Sequence, residues 1–153
     1  MKIIYSNQDI PDNLDGHSLF LVGPTPRERN VSSWRPEALS ILDDFKYNGT
    51  VFVPEWENWD TQCDFEDQVE WEWKGLDIST SIAAWIPRKS PEMPAFTSNV
   101  EFGLYVDSEK FFYGRPFWAE KCKYLDALYY KKRNRLPVME LKDLLQEAIA
   151  YGN

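Results

Sequence analysis

At 153 residues the chain is long enough for one domain that buries about two-thirds of its unfolded surface, and its 43% hydrophobic and 16% aromatic content shows no disorder-like bias. Twenty-five acidic against seventeen basic side chains give a formal charge of −8, which argues against a general nucleic-acid binder but leaves small phosphorylated ligands open to a local arginine cluster. Met1 to Asn13 lack the apolar core of a signal peptide and no run approaches a membrane span, so a cytoplasmic protein with reduced Cys63 and Cys122 is expected.

The elements follow in order. Lys2-Ile3-Ile4-Tyr5 reads as a short edge strand, and Ser18 to Val22 as a strand buried on both faces. Gly23-Pro24-Thr25-Pro26 must be a loop; it is neither the glycine-rich dinucleotide fingerprint nor a P-loop. Arg27, Arg29 and Arg35 cluster just after it, either as a grip on a phosphate or carboxylate or as a solvated loop paired with Glu28 and Glu37. Ser33-Trp34-Arg35-Pro36 opens a helix with Pro36 in its first turn and an apolar face of Ala38, Leu39, Ile41, Leu42 and Phe45. Thr50 to Val53 is the next strand. The acidic, aromatic segment Glu55 to Asp60 follows it, where Trp56 can stack on a flat ring or fold back on the sheet edge.

Phe65 to Leu76 reads as a helix, in which Glu70 and Glu72 fit a charged outer face better than a site. Ser81 to Ile86 is a third buried strand, ending at Pro87-Arg88. After a loop with three prolines comes a helix with Val100, Leu104 and Tyr105 as its apolar pattern. Lys110 to Tyr113 is a fourth strand, Phe117 to Lys132 a helix, Leu136 to Val138 a short last strand, and Glu140 to Tyr151 a closing helix. Strands alternating with helices predict a single-domain α/β fold with a doubly wound, mostly parallel sheet and helices on both faces. In such a sheet the loops after the first three strands share one rim, which makes neighbours of Gly23, Pro24, Glu55, Trp56, Arg88 and Glu101.

His17 is the sole histidine, so a Ser-His-Asp triad would depend on it and a multi-histidine metal site is excluded. Carboxylates, hydroxyls and aromatics remain. Glu101 then has two readings. In one, Ser98-x-x-Glu101 is a capping box and Glu101 satisfies a backbone donor. In the other, a carboxylate in the first helical turn, kept ionised at neutral pH by roughly 0.3–1 kcal/mol from the helix dipole, attacks a sugar carbon.

Five segments, Phe20 to Arg27, Ser33 to Ala38, Val51 to Glu55, Trp85 to Arg88 and Asn99 to Gly103, together resemble the nucleoside 2-deoxyribosyltransferase-like family. The resemblance spans Ser18 to Asp126 in one order. It implies a flavodoxin-like fold, cleavage of an N-glycosidic bond, and Glu101 as the nucleophile that attacks the anomeric carbon. With the rim read above, contacts to a nucleoside or nucleotide are expected from Gly23, Pro24, Arg27, Glu55, Trp56 and Arg88, with Asn99 on the sugar. No metal or organic cofactor, no nucleic acid and no membrane is implied. Such proteins are often oligomers that complete the site from a neighbouring subunit. The chain departs from the better-studied transferases in having no aspartate at the end of the third strand or in the loop before the glutamate. The acid that protonates the base is therefore unassigned, with Glu55, Glu57 and Glu92 as candidates. Sugar transfer to a second base is the expected reaction; hydrolysis by water, or a non-catalytic nucleotide-binding module, are its alternatives.

Overall fold

A computed structural model describes residues 1–28, 30–57 and 65–152, the side chain of Phe65 excepted; Arg29, Asn58, Trp59, Asp60 and Cys63 lie outside the described residues. Strand β1 (Lys2–Tyr5) is only partly buried, whereas every position of β2 (Ser18–Val22), β3 (Thr50–Val53), β4 (Ser81–Trp85) and β5 (Phe111–Gly114) is buried. Uninterrupted apolar runs of that kind belong to parallel strands covered on both faces. The five strands form one parallel sheet in the order β1-β3-β2-β4-β5. Val138 adds a single parallel bridge to Gly114, all that forms of the expected last strand.

Alternate residues along each strand feed two cores. Phe20, Phe52, Ile82, Phe111 and Tyr113 point to one face, where α2 (Phe65–Ile78), α3 (Phe96–Tyr105) and α4 (Lys123–Arg133) cover them. Leu19, Leu21, Val51, Ala83 and Phe112 point to the other, under α1 (Arg35–Asp44) and α5 (Leu141–Ala150). This is the flavodoxin-like arrangement expected from the sequence. Because β2 leads to α1 on one face and β4 to α3 on the other, the carboxyl ends of β2 and β4 open a crevice between them.

Two helices differ from their expected form. The helix expected from Phe117 begins instead at Lys123. The preceding segment is held out of helix by tertiary bonds: the Glu120 amide donates to the Arg88 carbonyl, the Arg88 guanidinium donates to the Lys121 carbonyl, and Lys121 takes a left-handed φ of 52°. In α3 the apolar pattern is rotated. Val100 and Leu104 are exposed, and Ser98, Glu101 and Phe102 are buried. Phe102 wins the interior because its ring meets Phe111, Tyr113 and Tyr129 edge to face, a cluster that neither aliphatic side chain can replace.

Candidate active site

The loop after β2 is built to lie close against the end of β4. A side chain at Gly23 would put its Cβ 2.2 Å from the Trp85 carbonyl oxygen and 2.7 Å from the Trp34 ring, so only glycine fits. Arg35, the first residue of α1, is 1% exposed and fastens this loop from beneath. Its guanidinium donates to the carbonyls of Leu21 and Gly23, to Thr25 Oγ1 at 3.2 Å and to Glu55 Oε1 at 2.5 Å. Ser33 adds a 2.8 Å bond to the same Glu55 oxygen. Arg35 and Glu55 thus form a clamp that joins the loops after β2 and β3.

Above the clamp lies a cavity of about 260 Å³. Gly23, Pro24 and Arg27 line it from the β2 loop, Gln68 and Glu72 from α2, and Ser98 and Glu101 from α3. Of the expected rim, Gly23, Pro24 and Glu101 therefore share one cavity, and Arg27 joins them. Glu55 and Trp56 line an adjoining groove of about 230 Å³, which shares Thr25, Pro54 and Gln68 with the first. Arg88 and Asn99 line neither; the Arg88 guanidinium donates to the Asn99 carboxamide, and both help to anchor α3 to the segment before α4.

The capping-box reading of Glu101 does not survive. Helix α3 starts at Phe96 after Ala95, a left-handed residue whose side chain makes no cap bond. Ser98 is therefore inside the helix, and Glu101 stands in the second turn, beyond the reach of the first-turn dipole. Glu101 is 8% exposed and lines the cavity, and its carboxyl has no hydrogen-bond or ion-pair partner among the described residues. The expectation of a fully ionised group is corrected as well. Burial, then the nearby Glu72 charge, push the Glu101 carboxyl from 4.5 up to about 7, with Arg35 opposing weakly. The net shift, roughly 3 kcal/mol with burial as its leading cause, outweighs a dipole contribution of at most about 1 kcal/mol.

Glu72 is the residue that sequence reasoning missed. It is not on an outer charged face but half-buried in the cavity wall, where Gln68 Nε2 donates to it at 3.0 Å. Burial raises its affinity for a proton, while the Gln68 bond and Arg35 pull the other way. The available signal was spacing: Gln68, Glu72 and Leu76 recur every four residues, one side of a helix whose Leu76 end is in the core. The acids proposed from sequence sit elsewhere. Glu55 is held by the clamp, Glu57 is exposed, and Glu92 pairs with Lys89 at 3.3 Å.

Residues 16–115 match the family described as nucleoside 2-deoxyribosyltransferase like. The chain belongs to this family. No curated protein matches it. The match to the nucleoside 2-deoxyribosyltransferase-like family takes in both loops of the clamp, Glu72 and Glu101, and ends before α4. The family description points to a nucleoside-acting, transferase-like enzyme. Among the described residues no cluster of His, Cys, Asp or Glu is arranged to hold a metal ion, and no helix is long and apolar enough to cross a membrane.

Proposed function

We propose that the protein cleaves the N-glycosidic bond of a nucleoside or nucleotide and passes the sugar to a second base through an ester on Glu101. The observation that carries this reading is the partnerless, buried Glu101 carboxyl facing a second carboxyl, Glu72, inside the switch-point cavity. Two neighbouring carboxyls in a partly desolvated site resist double ionisation, so the pair holds one proton through the mildly acidic to neutral range. With C1′ over Glu101, the ionised form is favoured there and the proton resides on Glu72. As the C1′–N bond breaks, its electron pair goes to the base, Glu72 protonates the base nitrogen, and a Glu101 oxygen bonds to C1′. The incoming base then displaces Glu101, returns its proton to Glu72, and gives net retention.

The adjoining groove suits the base. Pro26, Val31, Pro54 and Trp56 supply apolar walls, and the buried Trp56 Nε1 has no acceptor among the described residues. A flat heterocycle with a ring or carbonyl acceptor would satisfy it. One observation favours water as a competing acceptor: Thr25, Arg27, Phe96 and Thr97, all cavity residues, are exposed, so solvent reaches the ester. The test is to incubate the protein with one nucleoside or nucleotide and a different free base, and to separate the products. A new nucleoside or nucleotide shows transfer, free sugar shows hydrolysis, and no released base from any donor overturns the reading.

A further inference from the structure

The cavity has opposite characters at its floor and its mouth. Its floor holds the buried Glu101, while Arg27 stands exposed at its edge. Arg27 differs from the other described arginines. Arg35, Arg88, Arg115, Arg133 and Arg135 each donate at least one side-chain hydrogen bond. Arg27 donates none and has no ion pair among the described residues. Yet it is positioned: its backbone amide donates to the Glu92 carbonyl at 3.1 Å, and its guanidinium lies 5.3 Å from the centre of the Phe96 ring. Stacking leaves the N–H edge of the fork unspent.

A second set of donors lines the same edge. Helix α3 is ten residues long, and its first backbone bond runs from the Asn99 amide to the Ala95 carbonyl. The amides of Phe96, Thr97 and Ser98 have no acceptor among the described residues, because Ala95 offers no capping oxygen. All three residues line the cavity beside Arg27. The buried, partnerless Glu101 in the same cavity is the independent sign that a ligand belongs there.

Resting on the glycosidic reading above, we infer that the substrate is a nucleoside 5′-monophosphate, whose phosphate is held between the Arg27 guanidinium and the first-turn amides of α3. A fork and a helix N-terminus are the two donors best matched to a phosphate, and together they offset a net charge of −8 locally. The phosphate end then sits at the exposed basic mouth, the sugar C1′ over the acidic floor, and the base in the groove of Trp56. Arg35 takes no part, since its N–H groups are spent on the clamp.

The experiment compares kcat/KM for a nucleoside and its own 5′-monophosphate, in wild type, Arg27→Ala and Arg27→Lys. The expected result is a preference for the monophosphate of at least about tenfold, falling to near parity in Arg27→Ala. Arg27→Lys should restore part of the preference, because it keeps the charge and loses the fork. Parity in wild type, or a preference unaltered by Arg27→Ala, overturns the inference while leaving the glycosidic reading intact. If neither substrate releases base, that reading fails, and calorimetric titration with the monophosphate decides separately. Binding weakened at least about tenfold by Arg27→Ala and by raised salt upholds the phosphate site; binding indifferent to both removes it.

Discussion

The two ends of the sheet carry buried polar groups of opposite kinds. At the amino ends of the strands, His17 bonds the Tyr47 hydroxyl and the Tyr151 carbonyl, each at 2.8 Å, and Ser18 and Thr80 exchange hydrogen bonds. At the carboxyl ends, the buried Glu101 and the buried Nε1 of half-buried Trp56 have no partners among the described residues. A satisfied network repays its own desolvation and fixes structure. Unsatisfied groups cost stability in the free protein and recover it only when something binds. The chain's one histidine therefore marks a structural joint. Its functional chemistry lies with carboxyls at the far end.

The largest expected effect comes from Arg35, the part of the functional end that is fully satisfied. Arg35→Ala strands Glu55 and frees the acceptors of Leu21, Gly23, Pro24 and Thr25, and should cost about 3–5 kcal/mol, read as a lower denaturant midpoint. A loss below about 1 kcal/mol would mean that the clamp is not what holds the cavity open.

Removing the second carboxyl sharpens the contrast by chemistry. Glu72→Gln should slow base release by roughly a hundredfold or more, with a much smaller loss on a deoxyriboside of 4-nitrophenol, a leaving group that needs no proton. In wild type, release should decline above about pH 7 as the pair loses its last proton, and Glu72→Gln should lose that alkaline limb. Equal losses on both donors would remove Glu72 from the role of acid.

The two ends should also respond to pH in opposite directions. Glu101 binds its proton more tightly folded than unfolded, so its contribution to stability is intact below pH 4.5 and is lost as pH rises to about 7. Glu101→Gln should remove up to about 3 kcal/mol of that dependence. His17 is the reverse case: burial lowers its pKa from 6.5, so the unfolded chain takes the proton first and stability falls as pH drops below 6.5. His17→Gln should flatten that acid slope, at a cost of about 1–3 kcal/mol for the lost bonds and without changing base release. Melting curves across pH 4 to 8 check both signs (a window of about four units).

Apolar runs made the sheet, its parallel sense and its two covered faces legible from the residues alone, since Ser18 to Val22 and Ser81 to Trp85 admit no amphipathic alternative. The rim was legible to the level of which loops meet. What escaped was orientation. Ser98-x-x-Glu101 satisfies the pattern of a cap, but the helix begins two residues before Ser98, which only the left-handed turn at Ala95 decides. Glu72 looked like solvent-facing charge because its neighbours Glu70 and Trp73 are exposed; its side of the helix depends on α2 packing beside α3. Likewise Arg27 and Arg35 are similar in sequence, and burial alone separates the free guanidinium from the spent one.

The central role, Glu101 as the nucleophile, is tested most directly by Glu101→Gln, which keeps side-chain length and the carbonyl acceptor but cannot attack C1′ usefully. Base release and the melting temperature should be measured on the same preparation at pH 7, near the titration of the group itself. The nucleophile role predicts a loss of release on the order of a thousandfold or more in a protein that melts no lower than wild type. Release at the wild-type rate in the folded variant would contradict it.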